Sequence, residues 1–250
     1  MRAAAVALCM ALMASAAVAD DRLPIRYDNW LYYQKYTNDS ERWQYRMRFD
    51  IPIAFADDWL FTQRAYLPLV NYTNRIGPDN AEGGWKAGLG DWYFDEAFTT
   101  PRNANNTRGI FGVRLVFPTG GAGPFGSGQY QWAPFVGLSH DVPGLGLRVV
   151  PLVRYFMSYH ATESGASQVR RLDIYPTAVR ELGQGWTMRT YDENPISYNH
   201  VSQKWFVPLD MQLVKRARKD LEFMFGAAYG LVKDDPQFLW QLYTRVSVYF

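Results

Sequence analysis

The chain has 250 residues, a formal net charge of +2 and a single cysteine, and 16% of it is aromatic. A near-neutral charge with no long basic block gives no reason to expect nucleic acid as a partner, and no acidic tail points to disorder. So high an aromatic share, much of it Tyr and Trp, points to a membrane interface, where amphipathic rings sit at headgroup level.

At the N-terminus, Arg2 supplies a short positive start and Ala3 to Ala17 form an apolar run of small and aliphatic residues. Ala17-Val18-Ala19 before Asp20 fits an A-x-A cleavage site, so residues 1–19 read as a secretory signal peptide. A membrane-anchoring helix is the competing reading, but the run is short for one. Cys9 falls inside the leader, which leaves the mature chain, 20–250, without a thiol for a disulfide, a nucleophile or a metal. Beyond the leader no stretch approaches the roughly 20 apolar residues of a spanning helix. Such a secreted chain is either soluble or crosses an outer membrane as a closed barrel.

Alternation separates the two. Strands are expected near 24–36, 42–54, 59–72, 85–98, 108–118, 128–140, 145–160, 168–180, 185–193, 200–214, 220–232 and 237–250. In the second, Trp43, Tyr45, Met47, Phe49, Ile51 and Ile53 form an apolar row with Gln44, Arg46, Arg48 and Asp50 between them. The same scheme recurs from Leu145 to Tyr159, from Val201 to Leu213 and from Leu221 to Leu231. A period of two held this long is a strand signature. In the fourth segment Trp92 and Phe94 fall out of phase with Ala87 and Leu89, which implies a bulge near Gly90-Asp91. Soluble strands run about five or six residues, whereas these run roughly ten to sixteen, enough to cross a bilayer at a tilt. The expected fold is therefore all-β: a transmembrane antiparallel β-barrel of about 12 strands, with apolar rows facing lipid. A soluble lipocalin-type barrel, with the rows reversed, is the nearest alternative. Residues 55–58, 141–144, 181–184 and 216–219 read as short periplasmic turns, and 99–107 as a longer one. The long outer loops are 73–84 and 120–127.

Several stretches resemble a known family. "GLGD" at 88–91, "VFPTG" at 116–120, "GSG" at 126–128, "KWFVPLDMQLVKR" at 204–216 and the segment from Gly226 to Phe250 are similar to the phenol-degradation meta-pathway family of bacterial outer-membrane transporter-like proteins. The resemblance covers most of the mature chain. It implies a barrel of about twelve strands that passes small, often aromatic, compounds. The sequence departs from the family where Asp210 follows Pro208-Leu209, a place more usually held by Gly. The final strand, with Val246, Val248 and Phe250 alternating to its end, is similar to the signal read by the barrel-assembly machinery. That machinery and outer-membrane lipid and lipopolysaccharide are the expected partners, together with a small-molecule solute.

The inward rows carry the residues of interest. They place Arg46, Arg48, Arg64, Arg114, Arg148, Arg154, Arg171, Arg189, Lys204 and Arg245 in the lumen, facing Asp50, Asp173, Glu193, Asp210 and Glu222. Bases outnumber acids, so the lumen should favour anions. Tyr66, Tyr175, Tyr191, Tyr243 and Tyr249 share that face, to stack on a solute or to fill space. The opposite reading is that arginine–carboxylate ladders plug a narrow barrel, since twelve strands fall between filled and open sizes. A second function class is an acyl hydrolase of the outer-membrane phospholipase kind, for which "SYNHVS" at 197–202 offers Asn199, His200 and Ser202. The histidines at 140, 160 and 200 lack metal-ligand spacing, and no cofactor is implied.

Overall fold

The computed structural model describes residues 23–55, 58–76, 80–164, 166–234 and 237–250. The expected signal peptide, residues 1–19, lies outside them. Every regular element among the described residues is a strand. In chain order these are β1 (Arg26–Lys35), β2 (Glu41–Phe55), β3 (Trp59–Thr73), β4 (Lys86–Gly88), β5 (Trp92–Thr99), β6 (Thr107–Phe117) and β7 (Gln129–Val142). After them come β8 (Leu147–Ala161), β9 (Arg170–Gly183), β10 (Trp186–Thr190), β11 (Ile196–Asn199), β12 (Lys204–Arg218), β13 (Leu221–Lys233) and β14 (Trp240–Tyr249). All pairings are antiparallel, between chain neighbours except where β3 meets β5, β9 meets β11 and β10 meets β12, and β14 pairs with β1 from Arg26↔Tyr249 to Lys35↔Trp240, which closes the sheet.

Two walls of this barrel are each built from two segments. Both β4 and β5 pair with β3, and both β10 and β11 lie between β9 and β12. The barrel therefore has twelve walls, as the alternation implied. Between β4 and β5 the inward parity switches: Gly88 faces Asn71, whereas Tyr93 faces Tyr66. This is the irregularity expected at Gly90-Asp91, and β3 answers it with its own bulge, where Tyr45↔Val70 steps to Arg46↔Pro68.

The second break corrects the sequence reading. A strand was expected to end at residue 193, with 194–199 outside the wall. Instead the wall resumes at Ile196 and runs to Asn199, and the outer turn is confined to 200–203. Residues 191–195 stand opposite 175–177 of β9, because Thr190 pairs with Ala178 and Ile196 with Ile174. Five residues facing three cannot stay in a ladder, so the surplus leaves the wall. Tyr191 takes φ 50° to make the bend.

The two faces sort as the pattern requires. On β12 to β14, Leu209, Met211, Leu213, Phe223, Phe225 and Leu242 are exposed on the outside, while Asp210, Gln212, Glu222, Gln241, Arg245 and Ser247 are buried inside. Exposed apolar rows beside buried polar ones are the reverse of a soluble protein and match a barrel solvated by lipid. Rings gather on the outer surface at both ends. One cluster joins Phe55, Trp59, Phe98 and Phe111 at the short-turn end. Others pair Tyr33 with Trp43 and Trp240, Tyr72 with Trp85, and Tyr198 with Trp205 at the long-loop end. These are the two aromatic girdles of a membrane barrel, and the short turns mark the periplasmic side.

Candidate functional site: an arginine-lined lumen in two chambers

The interior is packed on one side and open on the other. Beneath β12, β13, β14, β1 and β2 lies a cluster of Trp30, Tyr32, Val214, Met224 and Tyr243. Charged groups fill the remaining space there. Arg48 reaches Asp28 at 2.5 Å and Asp50 at 3.3 Å, Arg26 reaches the same two carboxylates, and Arg245 pairs with Glu222. The guanidiniums of Arg46, Arg48 and Arg245 lie 4.9–5.3 Å from the Trp30 ring. Stacked arginine on an aromatic face keeps its cation solvated without water. Arg48, Arg245 and Asp50 thus belong to the filled side, as the plugging reading expected of the whole lumen.

Across from it, under β3 to β9, are two cavities. One, of about 430 Å³, opens toward the outer loops and is lined by Arg42, Arg75, Arg171, Asp173 and Gln131. The other, of about 320 Å³, lies toward the periplasm, with Arg64, Arg154, Asp95, Phe135 and Leu152 among its walls. Arg46, Arg114, Tyr175 and Glu193 line both, so these four side chains stand between the chambers, at a neck. Together the cavity walls hold seven arginines and five carboxylates, so fixed positive charge exceeds negative along the path.

The neck exists because of the displaced segment 191–195. Its Glu193 carboxylate accepts hydrogen bonds from Tyr32 Oη and Arg46 Nη2, each at 2.7 Å. Asp210 fastens the next residues: Glu193 N, Asn194 N and Asn194 Nδ2 donate to it at 3.4, 3.3 and 2.9 Å, and Tyr243 Oη donates at 2.5 Å. Thr177 Oγ1 donates to the Tyr191 carbonyl at 2.7 Å, and Arg189 pairs with Asp192. The segment is therefore bonded on both flanks and across the lumen. Asp210, which stands where the resembling family more usually has Gly, is fully buried beneath it.

The outer chamber owes its roof to the glycine motifs. The side chain of Phe125, in the loop 118–128, covers Gly88, where an added Cβ would stand 2.6 Å from its ring. Asp91 accepts bonds from Gly120 N at 3.2 Å, Ser127 N at 2.7 Å and Ser127 Oγ at 2.9 Å. Thr119 Oγ1 donates to the Gly90 carbonyl at 2.6 Å and accepts from Trp92 N. "GLGD" and "VFPTG…GSG", 25 residues or more apart along the chain, are two halves of one latch. Phe125, Pro124 and Ser127 line the outer cavity from it.

Of the residues singled out in the sequence, Arg46, Arg64, Arg114, Arg154, Arg171 and Asp173 come together on the walls of the two cavities. Arg148 stands at the periplasmic mouth, half exposed and 2.8 Å from Asp141. Lys204 is exposed at the outer end of β12, and Arg189 is engaged by Asp192, so neither lines a chamber. Tyr243 is packing, whereas Tyr66 and Tyr175 face the cavities. Asp95 is missing from the sequence candidates, although alternation restarted from Trp92 and Phe94 after the parity switch places it inside. Arg42 shares its phase with Arg46 and was legible. His200 and Ser202 sit in the outer turn, where the His200 ring packs edge-on against Tyr155 and Tyr198 and Ser202 N donates to Asn199 Oδ1. Val246 is exposed and Val248 half-buried on the outer side of β14, and Phe250 is largely exposed just past its end.

Comparison with known proteins places the fold. No family model and no curated protein sequence matches the chain. Among solved structures, an outer-membrane channel from Pseudomonas putida F1 superposes with a TM-score of 0.71 at 13% identity, covering 93% of this chain and 97% of that one. The NanC porin gives 0.54 at 14% identity, covering 90% and 98%. The KdgM porin, in complex with disordered oligogalacturonate, gives 0.51 at 12% identity, again covering 90% and 98%. The fold is that of the outer-membrane β-barrel channels.

Proposed function

We propose that the protein is a bacterial outer-membrane channel that passes small anionic or electron-rich solutes by passive diffusion. The observation that carries this is the pair of chambers meeting at Arg46, Arg114, Tyr175 and Glu193, lined throughout by more arginine than carboxylate. A solute enters under the 118–128 loop, exchanges water for guanidinium contacts at the neck, and leaves through the lower chamber toward the periplasm. Selectivity arises from the surplus of fixed positive charge, and size exclusion from segment 191–195. The filled half of the lumen stiffens the wall and narrows the path without closing it.

The resemblance to the phenol-degradation meta-pathway family is supported by the way its glycine motifs meet in the outer latch. In this reading Val246, Val248 and Phe250 are the row offered to the barrel-assembly machinery, and lipid and lipopolysaccharide are the surroundings of the exposed apolar belt. Purified protein in a planar lipid bilayer tests the proposal. Discrete current steps are expected, and Glu193→Ala, which removes the carboxylate at the neck, is expected to enlarge them. A silent bilayer with correctly folded protein would make the barrel a non-conducting scaffold.

A further inference from the structure

The lower chamber is divided chemically along its length. At mid-height Asp95 accepts from Arg114 Nε at 2.5 Å and Nη2 at 2.7 Å, and Arg154 Nη2 stands 3.6 Å from the same carboxylate. One carboxylate thus serves two guanidiniums. Arg154 is the less satisfied of them: its side chain is 8% exposed, and its Nε has no hydrogen-bond partner among the described residues. The rings of Phe135 and Tyr175 flank its guanidinium at 5.0 and 5.5 Å.

Toward the periplasm, most of the lining loses its charge, with Thr62 on β3 and Thr99 on β5 among the aliphatic side chains. On β8 the inward row runs from Arg154 to Leu152 and Val150, and on β5 from Asp95 to Ala97. On β6, Arg114 gives way to Ile110, and on β9, Tyr175 to Thr177 and Val179. A charged ring therefore sits on a largely aliphatic sleeve, interrupted by Thr62, Thr99 and Thr177, inside a chamber of about 320 Å³. That volume falls in the range of small-molecule sites, about 300–1,000 Å³. An inorganic anion would answer Arg154 but leave the sleeve without a partner. A neutral hydrocarbon would cover the sleeve but add nothing to the long contacts of the Arg154 guanidinium with Asp95, at 3.6 Å, and Tyr175 Oη, at 3.4 Å.

We infer that the lower chamber is a binding site for small amphipathic carboxylates, with the carboxylate on Arg154 and Arg114 and a compact apolar or aromatic body in the sleeve below. The inference rests on the reading of the lumen as a solute path and names the class of solute. The planar fork of arginine suits a carboxylate, and Phe135 and Tyr175 give a flat body a surface to lie against.

Isothermal titration of the full-length protein in detergent, with protein-free micelles subtracted, tests it using three probes. Benzoate carries both the charge and the body, acetate the charge alone, and benzyl alcohol the body alone. Benzoate is expected to saturate, with the other two weaker by about tenfold or more, the loss expected when one of two such contacts is missing. Arg154→Gln is expected to weaken benzoate about tenfold. Leu152→Asn is expected to weaken benzoate and leave acetate unchanged, and it keeps the test open if the Arg154 variant fails to fold. Acetate binding as tightly as benzoate, or no saturable benzoate heat, would overturn the site. Because binding is read without flux, the two readings separate. Protein that binds benzoate but carries no current loses the channel and keeps the site, whereas protein that conducts without binding benzoate does the opposite.

Discussion

Asp210 shows how one side chain sets the bore. Its carboxylate is fully buried, accepts three bonds from Glu193 and Asn194 and one from Tyr243, and so turns a two-residue surplus in the wall into a fixed neck. Replacing it strands several buried donors, each costing about 1–3 kcal/mol when unpaired. Asp210→Ala is expected to lower the unfolding free energy in lipid vesicles by roughly 2–4 kcal/mol, because not all of those donors find water. It is also expected to increase single-channel conductance as 191–195 loosens. Stability lost with conductance unchanged would separate Asp210 from the neck. Gly88 is the matching case at the outer mouth. A larger side chain there must push the Phe125 ring away. Gly88→Val is expected to expose the 118–128 loop to protease added from outside, at a measurably faster rate than in the parent protein.

At the level of the strand, lipid and lumen impose opposite demands on successive residues, and that made most of the wall readable from sequence. The rows on β12 to β14 fell where the alternation put them, down to Arg245 inside and Val246 outside. Leu209, near the middle of β12 and exposed, is on the lipid side. Leu209→Arg is expected to cost about 2–4 kcal/mol, the range for an arginine at the bilayer midplane. Equilibrium unfolding in vesicles measures it, and a loss near zero would place this row in water. Alternation fails where the ladder is interrupted. Past Gly90-Asp91 the parity inverts, so Asp95 reads as an inward carboxylate only when the row is restarted from Trp92 and Phe94. At 191–195 the surplus residues leave the wall altogether, and no period marks a segment that folds inward. The motifs "GLGD" and "GSG" were visible as strings, but the bonds around them join residues of two different connections, distant along the chain.

Across the whole molecule, charge is distributed unevenly around the barrel axis. Paired arginines and stacked rings fill one half, and the unfilled half carries the surplus of guanidinium over carboxylate. The sequence foresaw the bases but not this division, because inward parity says which residues enter the lumen and not how far each reaches across it. In the function proposed above, the two readings of the lumen, plugged or open, describe its two sides. A path with a surplus of fixed positive charge selects anions, and such selectivity weakens as salt screens it. The most direct test is the reversal potential of the purified protein across a tenfold potassium chloride gradient. Its sign is expected to be that of chloride permeation, and its size to collapse toward zero as both salt concentrations are raised at constant ratio. A reversal potential of the sign set by potassium permeation would contradict an anion-selective lumen.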